Sequence, residues 1–177
     1  MSEVAVVLQK ILDGSDIDHF VDLLRKHNVN RVWLVGNGGS ASSAIHLSSD
    51  LEAVGYDVVC LVSNISRLTA IANDFGWDEI FIRQMGAFKP SDVLIVFSVH
   101  GGVPRKDGGE VWSGNLLRAC KLAKEKGGVV LALLGGDGGQ IGKVADVSVV
   151  VPHSGYWVVE GVHSCLAHVI CKKLLEK

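Results

Sequence analysis

The sequence predicts one doubly wound α/β domain, and three observations carry that prediction. Continuous apolar runs of strand length recur along the chain, and segments of helical length separate them. The first run leads through a glycine-rich turn into a serine-rich helix start. Unbroken apolar strands, rather than alternating ones, belong to a parallel sheet covered by helices on both faces.

In chain order, residues 1–28 read as two helical stretches punctuated by Asp13-Gly14-Ser15. Ser15 and Asp16 offer a cap, Phe20, Leu23 and Leu24 supply spaced apolar positions, and His27 and Asn28 close the second stretch. The expected strands are Val32 to Val35, Val58 to Val62, Val93 to Phe97, Val129 to Leu134 and Val147 to Val151. Between them, Ser40 to Val54, Ser66 to Phe88 (broken at Gly76) and Ser113 to Lys126 are long enough for crossover helices. Beyond Pro152 a last helix is expected from about Tyr156 to Leu175, with Val158, Val162, Leu166, Val169 and Ile170 near one stripe. Residues 99–112 carry two glycine doublets, a proline and four charged residues between a strand and a helix. A loop of that length is either a functional lid or surface.

At 177 residues the chain can bury a core without disulfide or metal staples. A formal net charge of -2 argues against nucleic-acid binding, and no apolar run approaches the roughly 20 residues of a membrane span. Cys60, Cys120, Cys165 and Cys171 form no CxxC pair and read as buried thiols. The N-terminus has no basic segment followed by a small-residue cleavage site, so a cytoplasmic protein is expected.

The chemistry-bearing residues begin at the first βα turn, Gly36-Asn37-Gly38-Gly39-Ser40, followed by Ser42 and Ser43. Glycines let the backbone approach a ligand, and the helix start presents unpaired N–H groups that suit a phosphate. Neither the acidic residue of a dinucleotide fold nor the Gly-Lys-Ser/Thr of a P-loop is present. Ser113-Gly114-Asn115 opens a second helix after the third strand, and Ser98 at that strand's end could face the same ligand. Taken alone, Ser113 reads as an N-cap.

His46 and Asp50 are spaced i, i+4 on one helix face, a spacing that suits a divalent metal, an acid/base pair or a surface ion pair. On the last helix Glu160, His163 and His168 fall close together, with His168 between apolar neighbours. Glu160 and His168 are separated by an axial rise of about 12 Å, so both reach one ion only if their side chains converge or the helix starts after Glu160.

These residues resemble those of the sugar isomerase (SIS) domain proteins and, within them, the phosphoheptose isomerases. The likeness rests on GNGGSASSAIH (36–46), SRLTAIANDFGWDEIF (66–81), SGNLLRACKLAKEKG (113–127), LLGGDGGQIGKVADVSVVVP (133–152) and EGVHSCLAHVI (160–170). It implies a five-stranded parallel sheet flanked by helices in a single domain, usually in a homotetramer. It also implies an aldose–ketose isomerase that converts sedoheptulose 7-phosphate to glycero-manno-heptose 7-phosphate with a divalent metal, zinc foremost. By position, Asn37, Gly38, Gly39, Ser40, Ser98 and Ser113 would hold substrate and its phosphate, with Asn64 and Asp74 near the sugar.

The metal positions would fall on His46, Asp50, Glu160 and His168, and the acid/base roles on Asp50 and His168. Asp50 stands where the family normally has Glu, and Glu160 where it normally has Gln. The family's phosphate loop is here interrupted between Ser98-Val99-His100 and Ser113, so His100, Arg105 or Lys106 is expected to supply part of the anion binding. An isomerase of a different sugar phosphate and a non-catalytic SIS-domain regulator or adaptor are the alternatives.

Overall fold

The computed structural model describes residues 2–26, 29–104 and 111–176. His27, Asn28, Arg105 and Lys106 lie outside the described residues, and with them the expected close of the second helix and two of the proposed anion-binding cations. Helices α1 (Glu3–Leu12) and α2 (Asp16–Lys26) precede β1 (Val32–Gly36), α3 (Gly39–Val54), β2 (Val58–Cys60) and α4 (Ile65–Phe75). Two 3-10 segments, Trp77–Glu79 and Ile82–Ala87, lead into β3 (Val93–Ser98), α5 (Gly114–Glu125), β4 (Val129–Gly135), α6 (Gly139–Val144), β5 (Val147–Val151) and α7 (Tyr156–Leu175).

The five strands form one parallel sheet in the order β2-β1-β3-β4-β5. Every residue of β1 and β3 is buried, which is why these strands read as unbroken apolar runs. From the β1–β3 pair the chain winds outward in both directions, through α3 to β2 and through α5 to β4. Right-handed crossovers therefore place α3 and α5 on opposite faces. Helix α3 packs against α7, which also contacts α1 and α2, whereas α5 packs against α6 and the 3-10 segments.

Three differences from the sequence reading have local causes. The second apolar run pairs only to Cys60: Leu61 N–H still donates to the Leu34 carbonyl at 2.9 Å, and then Ser63 N–H turns back to Cys60 O at 3.2 Å. Leu61 and Val62 stay buried as they make that turn. The segment 66–88 starts at Ile65 and breaks at Gly76, φ 90°, as expected, but beyond that break the chain continues in two 3-10 segments rather than as an α-helix. The six-residue α6 was not expected: it contains two glycines and starts beside another, so local propensity conceals it. All four cysteines are free thiols; Cys120 and Cys171 are buried, Cys60 and Cys165 only partly so. Burial pushes the Cys120 thiol up to about 12, which keeps it protonated and inert. Among the described residues no helix is long and apolar enough to cross a membrane.

The sheet is pinned at its N-terminal end by Asp92, only 1% exposed yet fully engaged. Its carboxylate accepts from Trp33 Nε1 at 2.9 Å, from the Lys89 backbone N–H at 2.9 Å and from Asn30 Nδ2 at 2.8 Å. A buried donor that loses its acceptor costs roughly 1–3 kcal/mol. Asp92→Ala is therefore expected to lower the unfolding free energy by about 3 kcal/mol in urea titration, and Asp92→Asn, which keeps an acceptor oxygen, by less.

Candidate active site

A reversal of strand order opens a crevice beyond the carboxyl ends of the two central strands, where α/β sheets bind ligands. Here that crevice lies between β1 and β3, and a cleft of about 450 Å³ occupies it. Asn37, Gly38 and Ser40 come to it from the β1 turn, and Ser98, Ser113 and Asn115 from the β3–α5 side. Glu160 comes from α7. Gly38 takes φ 57° and ψ -127°, a conformation costly for any residue with a Cβ, so the tight turn into α3 needs glycine there.

Two polar pairs tie the halves together. Asn37 Nδ2 donates to Asn115 Oδ1 at 2.9 Å and Asn115 Nδ2 returns to Asn37 Oδ1 at 3.2 Å, joining β1 to α5 across the crevice. Ser98 Oγ donates to Ser113 Oγ at 3.2 Å and accepts from Gly101 N–H at 3.0 Å. Ser113 occupies the position before α5 in a left-handed conformation, φ 59°, and makes no side-chain cap. The capping role expected from its type is therefore replaced by a hydroxyl facing the cleft. Beyond this pair His100 stacks on Trp112, ring centroids 4.9 Å apart and 15° from parallel, as one wall of the cleft.

Beside the cleft, α3 and α7 bring His46, Asp50 and His168 together, with one ligand atom from each within 4.8 Å of the others. Asp50 Oδ2 lies 3.7 Å from His46 Nε2 and 3.6 Å from His168 Nδ1. That oxygen is buried and has no hydrogen-bond partner, a costly state that a shared cation would relieve. The donor set of two imidazoles and a carboxylate therefore fits a divalent ion such as zinc. His168 is exposed rather than enclosed by its apolar neighbours, because it points off the face of α7 that carries Leu166 and Ile170 inward.

The remaining predicted residues divide by position. Glu160 is not part of the His–Asp–His group: α7 begins at Tyr156, so Glu160 sits two turns from His168 and lines the cleft instead. Asn64 is an exposed cap whose side chain accepts from Arg67 N–H at 3.0 Å, and exposed Asp74 accepts from Asn73 at 2.8 Å; neither lines the cleft. Sequence reasoning did not single out Trp77, Asp78 or Tyr156 as site residues, yet all three line the cleft.

A serine-lined crevice at the switch point, with a His–Asp–His group at its side, is the arrangement of a sugar-phosphate isomerase domain. No protein-family model matches the chain. The phosphoheptose isomerase of Chlorobaculum tepidum is 40% identical over 157 residues, spanning 83% of this chain and 70% of that protein. That of Rhodospirillum rubrum is 36% identical over 148 residues, 80% and 73%. The structure of phosphoheptose isomerase GmhA from Neisseria gonorrhoeae superposes with a TM-score of 0.86 at 30% identity, over 97% of this chain and 92% of that one. The chain belongs to the phosphoheptose isomerase family.

Under the cleft lies His163, 0% exposed, its ring against Phe97 at 5.8 Å between centroids. Neither ring nitrogen is in hydrogen-bonding geometry with a partner. Burial holds its pKa down at about 4, an effect that the nearby Leu134 backbone only partly offsets. Since the unfolded chain binds this proton from about pH 6.5 downward and the folded one does not, the protein loses stability as pH falls from 6.5 toward 4. The expected loss is on the order of 3 kcal/mol, and His163→Leu should remove that part of the slope in denaturation curves measured across this range.

Proposed function

We propose that the protein is an aldose–ketose isomerase of sedoheptulose 7-phosphate, giving glycero-manno-heptose 7-phosphate. The observation that carries this reading is the meeting, at one switch point, of the Asn37–Ser40 turn and the Ser98–Ser113 pair in a single cleft. Such a reaction needs the phosphate anchored, a proton removed from carbon next to the carbonyl and returned to its neighbour, and the enediolate oxygens stabilised. Ser98, Ser113 and Asn115 at the head of α5 offer hydroxyl and amide donors for the phosphate, with His100 beside them in the wall. Ser40, Gly38 and Asn37 face the sugar from the opposite side.

His46, Asp50 and His168 would hold the divalent cation, with zinc the first candidate. Bound there, it supplies Lewis-acid polarisation of substrate oxygens. Asp50 and His168 are also the residues to which the family likeness gives the proton transfers, but a carboxylate committed to a cation is a weak base. The exposure of His46 and His168 suits a site turned toward a second copy, in keeping with a homotetramer. A second reading, an isomerase of a different sugar phosphate, is favoured by the His100–Trp112 wall, which reshapes the phosphate end of the cleft.

The purified protein with zinc is expected to convert sedoheptulose 7-phosphate, followed by NMR. His168→Ala should lose both turnover and at least about 100-fold in zinc affinity. A folded, zinc-loaded protein that leaves this sugar unchanged but converts another in a panel of pentose, hexose and heptose phosphates would favour the second reading.

A further inference from the structure

We propose that His100, held flat against Trp112, recognises the phosphate of the substrate, and that Trp112 is the positioning residue that fixes His100 for this contact. The proposal deepens the sugar-phosphate reading of the cleft and rests on it. Both side chains line the cleft, His100 two residues after Ser98 and Trp112 directly before Ser113. Two donors at that end are already engaged. The Ser98 hydroxyl donates to Ser113 Oγ at 3.2 Å, and the Gly114 N–H at the head of α5 donates to the Val111 carbonyl at 3.2 Å. A phosphate monoester brings three terminal oxygens, each a strong acceptor. The His100 imidazole N–H supplies a further donor from the adjoining wall. Asp78, which lines the cleft near Gly114, lies 4.0 Å from the Arg118 guanidinium, which offsets its charge.

The wall is built into the fold. The two rings lie 15° from parallel with centroids 4.9 Å apart, so one face of the imidazole is covered and its N–H-bearing edge remains for a ligand. Backbone contacts fix the chain on both sides. Trp112 N–H donates to the Val103 carbonyl at 2.9 Å, which joins the two arms of the wall. Gly101 N–H donates to Ser98 Oγ at 3.0 Å, and the Gly101 carbonyl accepts from Ile141 N–H at 2.8 Å. Gly101, φ 62°, packs so closely on the turn into α6 that a Cβ on it would overlap the Gly138 backbone, and one on Gly139 would overlap the Gly101 carbonyl. Helix α6 thus clamps the residue next to His100.

A ring already fixed in place loses less freedom on binding than one free to rotate. Trp112 therefore acts through His100, whereas His100 touches the phosphate itself. That hydrogen bond ends on the phosphate and not on the reacting carbons, so it holds alike in the bound substrate and in the transition state. Its loss is read in KM rather than in kcat.

The test combines steady-state kinetics with titration of inorganic phosphate followed by NMR. His100→Ala is expected to raise KM for the sugar phosphate and to weaken phosphate binding by about 10- to 100-fold, with kcat within about threefold of wild type. His100→Gln, which keeps an N–H donor, should recover part of that loss, and Trp112→Phe, which keeps a ring to stack on, should stay near wild type. Trp112→Ala should approach His100→Ala, and the double variant should bind no more weakly than His100→Ala alone, because one residue acts through the other. Both side chains are exposed, so neither truncation should move the urea midpoint. KM and phosphate affinity within threefold of wild type in His100→Ala would overturn the proposal, as would a fall in kcat at unchanged KM, which would put His100 at the reacting atoms. Additive losses in the double variant would overturn the positioning role of Trp112. A wild type that converts no sugar phosphate in the panel would overturn the isomerase reading, and the inorganic phosphate titration would still decide for or against His100.

Discussion

The reversal of strand order between β1 and β3 is the constraint on which the rest of the structure depends. Parallel strands need crossovers, the crossovers share one hand, and winding outward from a central pair sends α3 and α5 to opposite faces. Their N-termini then flank one crevice that no strand or helix fills. The Asn37–Asn115 pair spans that crevice with two hydrogen bonds and fixes the separation of its walls. An opening between two helix N-termini thus follows from topology, and Ser40, Ser98 and Ser113 then line it with hydroxyls.

The same geometry separates two kinds of work. Helices α3 and α7 pack side by side, which places His46 and Asp50 within reach of His168 on the outside of the layer. Two turns nearer the start of α7, Glu160 faces the cleft across Gly39. One helix pair thus presents a cation-binding group and a carboxylate to adjoining spaces. In this chain the Glu160 side chain lines the cleft, while Asp50 remains with the imidazoles.

Much of this was legible in the sequence because the strands are buried on both faces. Four of the five apolar runs became strands to within a residue at either end, and Tyr156–Leu175 formed as the periodicity of its apolar residues indicated. The glycine-serine turn at residues 36–40 announced the crevice. The family likeness put Glu160 with the metal residues, and the axial rise left that open to convergence of side chains; the His–Asp–His group forms without it. Other features left no trace. Helix α6 is hidden by its glycines, and the capping behaviour of Asn64 is indistinguishable by composition from a ligand contact. Trp77 and Asp78 follow the break at Gly76 and Tyr156 opens α7, and their proximity to the cleft is set by tertiary packing rather than by local pattern.

A crystal structure of the protein with sedoheptulose 7-phosphate would test most directly whether the β1–β3 crevice is the sugar-phosphate site. The expected result is phosphate density against Ser98 and Ser113, with the sugar chain crossing the cleft between Asn37 and Trp112 toward Glu160. Sugar phosphate bound elsewhere on the molecule, with the crevice holding only solvent, would contradict it.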